Sequence, residues 1–522
     1  MRKCPDEKTV DKEKRGEFRW LLKAFKVKND WIVNFSPGQK AKRENVLMRI
    51  FQLSQIFFIP SFVTKSLKPF STTVFQLFYH QIPTKKSHTF LNDSTNTFWY
   101  YLLVIKNERV IKMFVIANED MKYPIKVWLE NEKQMDDICR RQAGNLANLP
   151  FIHKWVSLMP DTHAGKGMPI GGVIATNGVI VPNAVGVDIG CGMAFVSTNI
   201  KVDEIKDVVT GNGNLIQAMI GDIMRNVPLG FAHHKHPQMS YTMDKANEEF
   251  ELYEPDGELL GQLEAGYFQI GTLGGGNHFI EIQADDDGFL GIMIHSGSRN
   301  FGNQVCTYFN YIARDLNAKW FSNIPEDSRL SFLPVDTKEG KQYINWMNLA
   351  MEFAYENREK MLLAIKAVFE KWIGKYTDCE IEYSCEINCH HNYAALENHY
   401  GEDVWVHRKG ATRAREGELA VIPGAMGSYS YVVKGCGNLE SFCSSSHGAG
   451  RRHSRTAAMK EFTTENVMLD LQKQGVTLGK HNKADVAEES RFAYKDIDFV
   501  MSQQSDLVIP VKRLKTVGVV KG

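Results

Sequence analysis

Gly171-Gly172-Val173-Ile174-Ala175-Thr176, followed closely by Val179-Ile180-Val181-Pro182, is the stretch on which the fold turns. Short β-branched runs broken by glycine describe short strands joined by tight turns. The same texture fills 156–197 and returns over 377–440, and 290–296 reads as a buried strand. Between them, 203–265 reads as mainly helical with a loop at 228–237. Further on, 340–374 is the longest helix predicted, with Trp346, Leu349, Phe353 and Met361 recurring on one face. Strands and helices do not alternate as a Rossmann-type repeat would, so the expected class is α+β, with mixed or antiparallel sheets flanked by helices.

Toward the N-terminus, Met113-Phe114-Val115-Ile116 begins a first strand. Residues 127–149 follow as a helical stretch, with Met135, Ile138, Cys139 and Leu146 on one apolar face. Residues 1–112 are rich in Lys, Phe, Gln, Ser and Thr and poor in Gly, and show no sustained period. They read as a poorly structured, non-catalytic extension, with a single catalytic domain over 113–522.

Composition narrows the classes of function. The chain has 522 residues, 43% hydrophobic and 24% charged, with a formal net charge of +1. These are ordinary values for a globular protein, and the near-neutral total exerts no global pull on nucleic acid, so any polyanion contact must be local. Nine cysteines without a regular framework fit a reducing compartment. No apolar run follows Met1, and Arg49, Gln52, Gln55 and Pro60 interrupt the apolar 46–63, so a soluble cytoplasmic protein with no membrane partner is expected.

Five glycine-rich or histidine-bearing segments could carry chemistry around a sixth. In Val185-Gly186-Val187-Asp188-Ile189-Gly190-Cys191-Gly192, a hard carboxylate and a soft thiolate lie three residues apart, which suits a borderline divalent metal. Gly274-Gly275-Gly276-Asn277-His278 resembles backbone shaped around an anion. His295-Ser296-Gly297-Ser298-Arg299 ends an apolar strand. In Cys389-His390-His391-Asn392 the two histidines face opposite ways if extended, so one is a candidate ligand; Cys385 and Cys389 raise a weak zinc alternative. His407-Arg408-Lys409-Gly410-Ala411-Thr412-Arg413-Ala414-Arg415 reads as a basic patch for a polyanion, or else as a solvated strand edge. The sixth segment, Ser444-Ser445-Ser446-His447-Gly448-Ala449-Gly450-Arg451, reads as a phosphate cradle with hydroxyl and backbone donors around one imidazole. Such an imidazole can attack phosphorus.

Together with Met159-Pro160-Asp161-Thr162-His163-Ala164-Gly165-Lys166-Gly167 and the terminal Val519-Val520-Lys521-Gly522, these motifs resemble, in order, those of the RtcB family of RNA ligases from about Met113 to Gly522. The resemblance implies joining of RNA 2′,3′-cyclic-phosphate or 3′-phosphate ends to 5′-hydroxyl ends, in RNA repair or tRNA splicing, with GTP as co-substrate and two Mn²⁺ ions. It implies that Cys191 bridges the metals, that His278 and His295 complete one site, and that Asp188 and His391 complete the other. His447 would be guanylated. GMP would be held by Asn277, His278, Phe279, Ile280, Glu281, His391, Asn392, Pro423, Gly424, Ala425, Met426, Ser430, His447, Gly448, Ala449, Gly450 and Lys521. The resemblance also brings in an archease-type protein as a candidate activator, and a monomer is the expected state. The competing reading from another class is a dinuclear phosphodiesterase that makes no use of GTP, His447 or Lys521.

Overall fold

Most of the glycine-broken runs pair into two large sheets in the computed structural model, which describes residues 113–522 except 255, 256 and 484, whereas Val179–Ile180 pairs only with Leu333–Pro334. The expected extension over 1–112, and with it the boundary at 113, lies outside the described residues. One sheet has six strands, in the order Phe114–Ile116, Ile125–Val127, Ile152–His163, Ile170–Thr176, Glu402–Lys409, Asn392–His399. The other has eight. Its path runs Tyr383–His390, Gly192–Lys201, Phe289–Ser296, Phe279–Asp285, Val508–Lys521, Tyr429–Gly435, Leu419–Ile422, with Thr477–Gly479 pairing beside Val508–Lys521. Neighbouring strands are antiparallel except Ile125–Val127 with Ile152–His163 and Thr477–Gly479 with Val508–Lys521. The α+β class with mixed sheets is what the structure has.

The helix Lys338–Tyr376 organises the rest. Thr337 caps it by accepting the Gly340 N–H at 3.1 Å. Its 39 residues span roughly 58 Å. Its N-terminal half buries Tyr343, Trp346, Leu349 and Phe353 in one apolar cluster. Its C-terminal half buries Met361, Ile365, Val368 and Phe369 in another, against Ile280 and Ile282 of the eight-stranded sheet and the helix Leu215–Asn226. The stripe predicted over 340–374 is therefore real, and it serves two cores.

The stretch 127–149 departs from expectation. Only Asp137–Ala147 is α-helix, because Asp136 accepts the Cys139 N–H at 2.7 Å and starts the helix there. Ile125–Val127 instead pairs as a strand. No helix among the described residues is long and apolar enough to cross a membrane.

Candidate active site

Five of the six segments meet at one end of the eight-stranded sheet. Phe279–Asp285 and Phe289–Ser296 are antiparallel neighbours, with Phe279 opposite His295, and Lys521 at the end of Val508–Lys521 also lies opposite Phe279. The Asp188–Cys191 turn enters the next strand; Gly190 has φ +75° and sits so close to Ala354 and Met351 of the long helix that a side chain would not fit. His391 joins two strands, its N–H donating to the Cys191 carbonyl at 2.8 Å.

The five proposed ligands converge. Sγ of Cys191 is 3.5 Å from His278 Nε2 and 3.4 Å from His295 Nε2. His278 Nε2 is 3.1 Å from Asp188 Oδ2, and His295 Nε2 is 3.0 Å from His391 Nε2. Two ligand-sized groups result, Asp188–Cys191–His278 and Cys191–His295–His391, sharing the thiol. This corrects the expected partition: Cys191 is common to both groups, but His278 pairs with Asp188 and His295 with His391.

The protons show what the cluster is shaped for. Asn392 is oriented by backbone: its Oδ1 accepts the Gly410 N–H at 2.7 Å and its Nδ2 donates to the Asp188 carbonyl at 3.1 Å. That Oδ1 also faces His391 Nδ1 at 3.3 Å, so Nδ1 carries the proton. His295 Nδ1 donates to the Asn277 carbonyl at 3.2 Å and His278 Nδ1 to the Leu273 carbonyl at 2.9 Å. Burial holds His295 and His391 well below the usual imidazole range, so both rings are neutral. The 3.0 Å contact between His295 Nε2 and His391 Nε2 therefore sets lone pair against lone pair beside the Cys191 thiol, and His278 Nε2 approaches the same thiol at 3.5 Å. Asp188 Oδ1 is buried with no hydrogen-bond partner. Such a set is unfavourable by itself and favourable around cations, so these residues fit divalent metal ions. Burial, with Asp188 nearby, pushes the Cys191 thiol up, which means that metal binding must displace its proton.

The His447 ring is 4.7 Å from the His391 ring, centroid to centroid. The fully buried Asp161 accepts both the His447 backbone N–H, at 3.1 Å, and its Nδ1–H, at 2.6 Å. Nε2 is then the free lone pair. Gly450 lies against the Asp161 backbone with φ +74°, where a Cβ would collide with the carbonyl. Lys495 donates to the carbonyls on either side, Pro160 at 3.0 Å and Thr162 at 2.8 Å. The sequence alone assigns Asp161 no role within the 159–167 motif; a carboxylate directly after the apolar Leu158-Met159-Pro160 is the available signal.

A single cleft is lined by Asp188, Cys191, His295, His391 and His447, and equally by Asn277, Phe279, Glu281, Asn392, Pro423 to Met426, Gly448 to Gly450 and Lys521. Beyond the expected set it takes in Arg455, Glu489 and Tyr494. Lys521 lies 3.5 Å from Glu489, whose carboxylate also accepts from Tyr494 at 2.6 Å and pairs with Arg451 at 3.0 Å. Burial alone would raise Glu489, but Lys521 and Arg451 outweigh it and keep the group ionised. Burial pushes Glu281 up to about 8, with Lys521 opposing.

Several expected residues do not face the cleft. The Ile280 side chain points to the opposite sheet face, into the core. Ser430 Oγ accepts the Gly424 N–H at 3.1 Å and shapes the Pro423–Met426 turn from behind. Ser444, Ser445 and Ser446 are fully buried, paired with Ala411–Arg413, so their hydroxyls are not the phosphate donors expected. The basic run reaches the surface only at its end, where Arg413 pairs with Glu418 and Arg415 is exposed. His407, Arg408 and Lys409 are buried: Arg408 grips Glu397, Lys409 donates to backbone carbonyls, and no surface patch forms from them. His390 faces Arg358 and the Gly190 carbonyl instead of the ligand group, while Cys385 and Cys389 belong to no metal-sized group among the described residues.

The family described as tRNA-splicing ligase RtcB matches residues 142–522. The RNA-splicing ligase RtcB of Escherichia coli (strain K12) is 39% identical over 419 residues, covering 76% of this chain and 97% of that protein. The tRNA-splicing ligase RtcB of Thermococcus kodakarensis is 33% identical over 469 residues, covering 77% and 95%. That of Pyrobaculum aerophilum is 32% identical over 470 residues, with 77% and 95% covered.

Proposed function

Since the chain belongs to the RtcB family of RNA ligases, we propose that it joins RNA 2′,3′-cyclic-phosphate or 3′-phosphate ends to 5′-hydroxyl ends with GTP as co-substrate. The observation that carries this reading is the His447 ring: Nδ1 is tied to Asp161, and Nε2 is left free beside His391. A neutral imidazole so held is a nucleophile, and the carboxylate stabilises the positive charge that develops on the ring as it attacks.

Two Mn²⁺ ions, one on Asp188, Cys191 and His278 and the other on Cys191, His295 and His391, would neutralise phosphate charge as Lewis acids. His447 Nε2 attacks the GTP α-phosphorus. The bond to the β-phosphate oxygen breaks and pyrophosphate leaves. The resulting phosphoramidate passes GMP to the RNA 3′-phosphate, restoring the imidazole. The RNA 5′-hydroxyl then attacks the activated 3′ end and GMP departs; a cyclic phosphate is hydrolysed to the 3′-phosphate beforehand. Glu281 and Lys521, with the Pro423–Met426 turn, line the same cleft and would take the base and ribose away from the reacting phosphorus.

The test is incubation with α-labelled GTP and Mn²⁺. An acid-labile, covalent GMP adduct is expected, and it should vanish in His447→Ala. Hydrolysis of a 2′,3′-cyclic phosphate with no adduct in the wild-type protein would replace this reading with the phosphodiesterase.

A further inference from the structure

The ligand-bearing segments come from distant parts of the chain, and one turn of the helix Lys338–Tyr376 reaches behind them. Glu356, Asn357 and Arg358 on that turn are each fully buried. Buried charges are rare without partners that satisfy them, so each of these contacts has structural meaning. Glu356 is spent elsewhere: it accepts from Ser240 Oγ at 2.8 Å and from the N–H groups of Tyr241 and Thr242 at 3.1 Å each, capping the helix Tyr241–Glu248. Asn357 exchanges hydrogen bonds with the Thr272 backbone, at 3.0 and 3.1 Å, and donates toward Ser296 Oγ at 3.2 Å.

Arg358 differs in what it touches. Nη1 donates to the carbonyls of Gly190 and Ser296, both at 2.9 Å. Nε donates to Asn388 Oδ1 at 2.7 Å, and Nη2 lies 3.2 Å from His390 Nδ1. Gly190 precedes Cys191, Ser296 follows His295, and Asn388 and His390 lead into His391. Among the described residues Arg358 forms no ion pair with a carboxylate. Its charge is buried against carbonyl dipoles, one residue from the shared thiol.

We propose that Arg358 is a positioning residue for the metal centre: its planar fork fixes the segments carrying Cys191, His295 and His391 relative to one another and places a permanent positive charge behind the thiolate. The claim rests on the metal reading above. An ammonium group cannot replace the fork, because it is a point charge on a flexible stem and cannot span three strands at fixed angles.

The test compares Arg358→Lys with Glu356→Gln, an equally buried change on the same helical turn that leaves the ligand segments alone. Mn²⁺ affinity is measured by calorimetric titration, and amide hydrogen exchange at Cys191 and His391 is measured on the metal-free protein. Arg358→Lys should weaken Mn²⁺ binding by about 10- to 100-fold, the usual effect of losing an outer partner of a metal ligand, and should speed exchange at both amides. Glu356→Gln should lower the melting temperature and do neither. Asn388→Ala, a milder change at a half-buried position, should shift both readouts in the same direction, and it serves if Arg358→Lys does not fold. Unchanged affinity and exchange in Arg358→Lys and Asn388→Ala, or equal changes in Glu356→Gln, would overturn the proposal. If the wild-type protein takes up no Mn²⁺, the functional reading falls, and the exchange data alone decide the positioning role: local acceleration upholds it, and none refutes it.

Discussion

Two buried charged clusters in this protein are built on opposite terms. Around Arg408, supply meets demand. Its guanidinium donates to Glu397 at 2.6 and 3.1 Å, to the Phe442 carbonyl at 2.9 Å, to Ser444 Oγ at 2.9 Å and to Tyr393 at 3.2 Å. Burial would raise Glu397, but Arg408 and its other partners hold it well below the usual carboxylate range. Around Cys191, acceptors face acceptors, and Asp188 and Asp161 each keep an oxygen with no partner. In the first cluster every guanidinium N–H has a partner, with only the His399 Nδ1 beside Glu397 left without one, and the cluster holds strands together. The second is incomplete without charge brought from outside, and that is how a binding site differs from a structural one when both are buried and polar.

The sharpest way to break this contrast is Asp161→Asn. An amide can present N–H to His447 Nδ1 and drive the ring proton onto Nε2, so the rate of GMP attachment in single turnover should fall by about 10²- to 10⁴-fold with little change in unfolding free energy. A rate within tenfold of wild type would remove Asp161 from the chemistry.

Next in size is the pair of adjacent histidines. His391→Ala should abolish binding of one of two Mn²⁺ ions in a titration, whereas His390→Ala should weaken binding by less than about tenfold. The reverse outcome would exchange their roles. At the Arg408 cluster, Glu397→Ala should cost about 3–5 kcal/mol in denaturant unfolding, since it strands a buried guanidinium, while the guanylation rate per folded molecule stays within about twofold. A large loss of rate without loss of stability would mean that the cluster is not merely structural.

The smallest effect concerns pH. Glu281 is raised from 4.5 to about 8 by burial, so the folded protein holds a proton there that the unfolded chain has released. Its contribution is full below about pH 4.5 and is lost as pH rises through about 8. Wild type should therefore lose roughly 1–3 kcal/mol more between pH 5 and pH 9 than Glu281→Gln, measured by denaturant unfolding. Parallel curves would show that Lys521 already keeps the carboxylate ionised.

Much of the site was legible in the sequence because its parts are local: a carboxylate and a thiol three apart in a glycine turn, or a histidine at the end of an apolar strand, keep their meaning wherever the turn is placed. The helix Lys338–Tyr376 was legible from its apolar spacing, and the sheets from their glycine-broken runs. What was not legible depends on distant pairing. Arg408 and Lys409 read as surface charge because Glu397 and the Lys166 and Asn183 carbonyls that receive them are assigned only by the sheet. The three serines read as donors to a ligand because their pairing with Ala411–Arg413 has no local sign. The division of the five candidate ligands between the two side-chain groups differs from expectation for the same reason, since strand register decides which ring lies beside which.

The helix that fills two cores also backs the cleft, so the turn that carries Asp188 and Cys191 rests on the same element as the body of the described residues. On heating, catalytic output should vanish at the melting transition itself and not several degrees earlier, and cold or mild denaturant should leave turnover unimpaired until the whole scaffold gives way. Substitutions far along that helix would then register as altered thermal tolerance of activity, since one rigid spine serves both endurance and work.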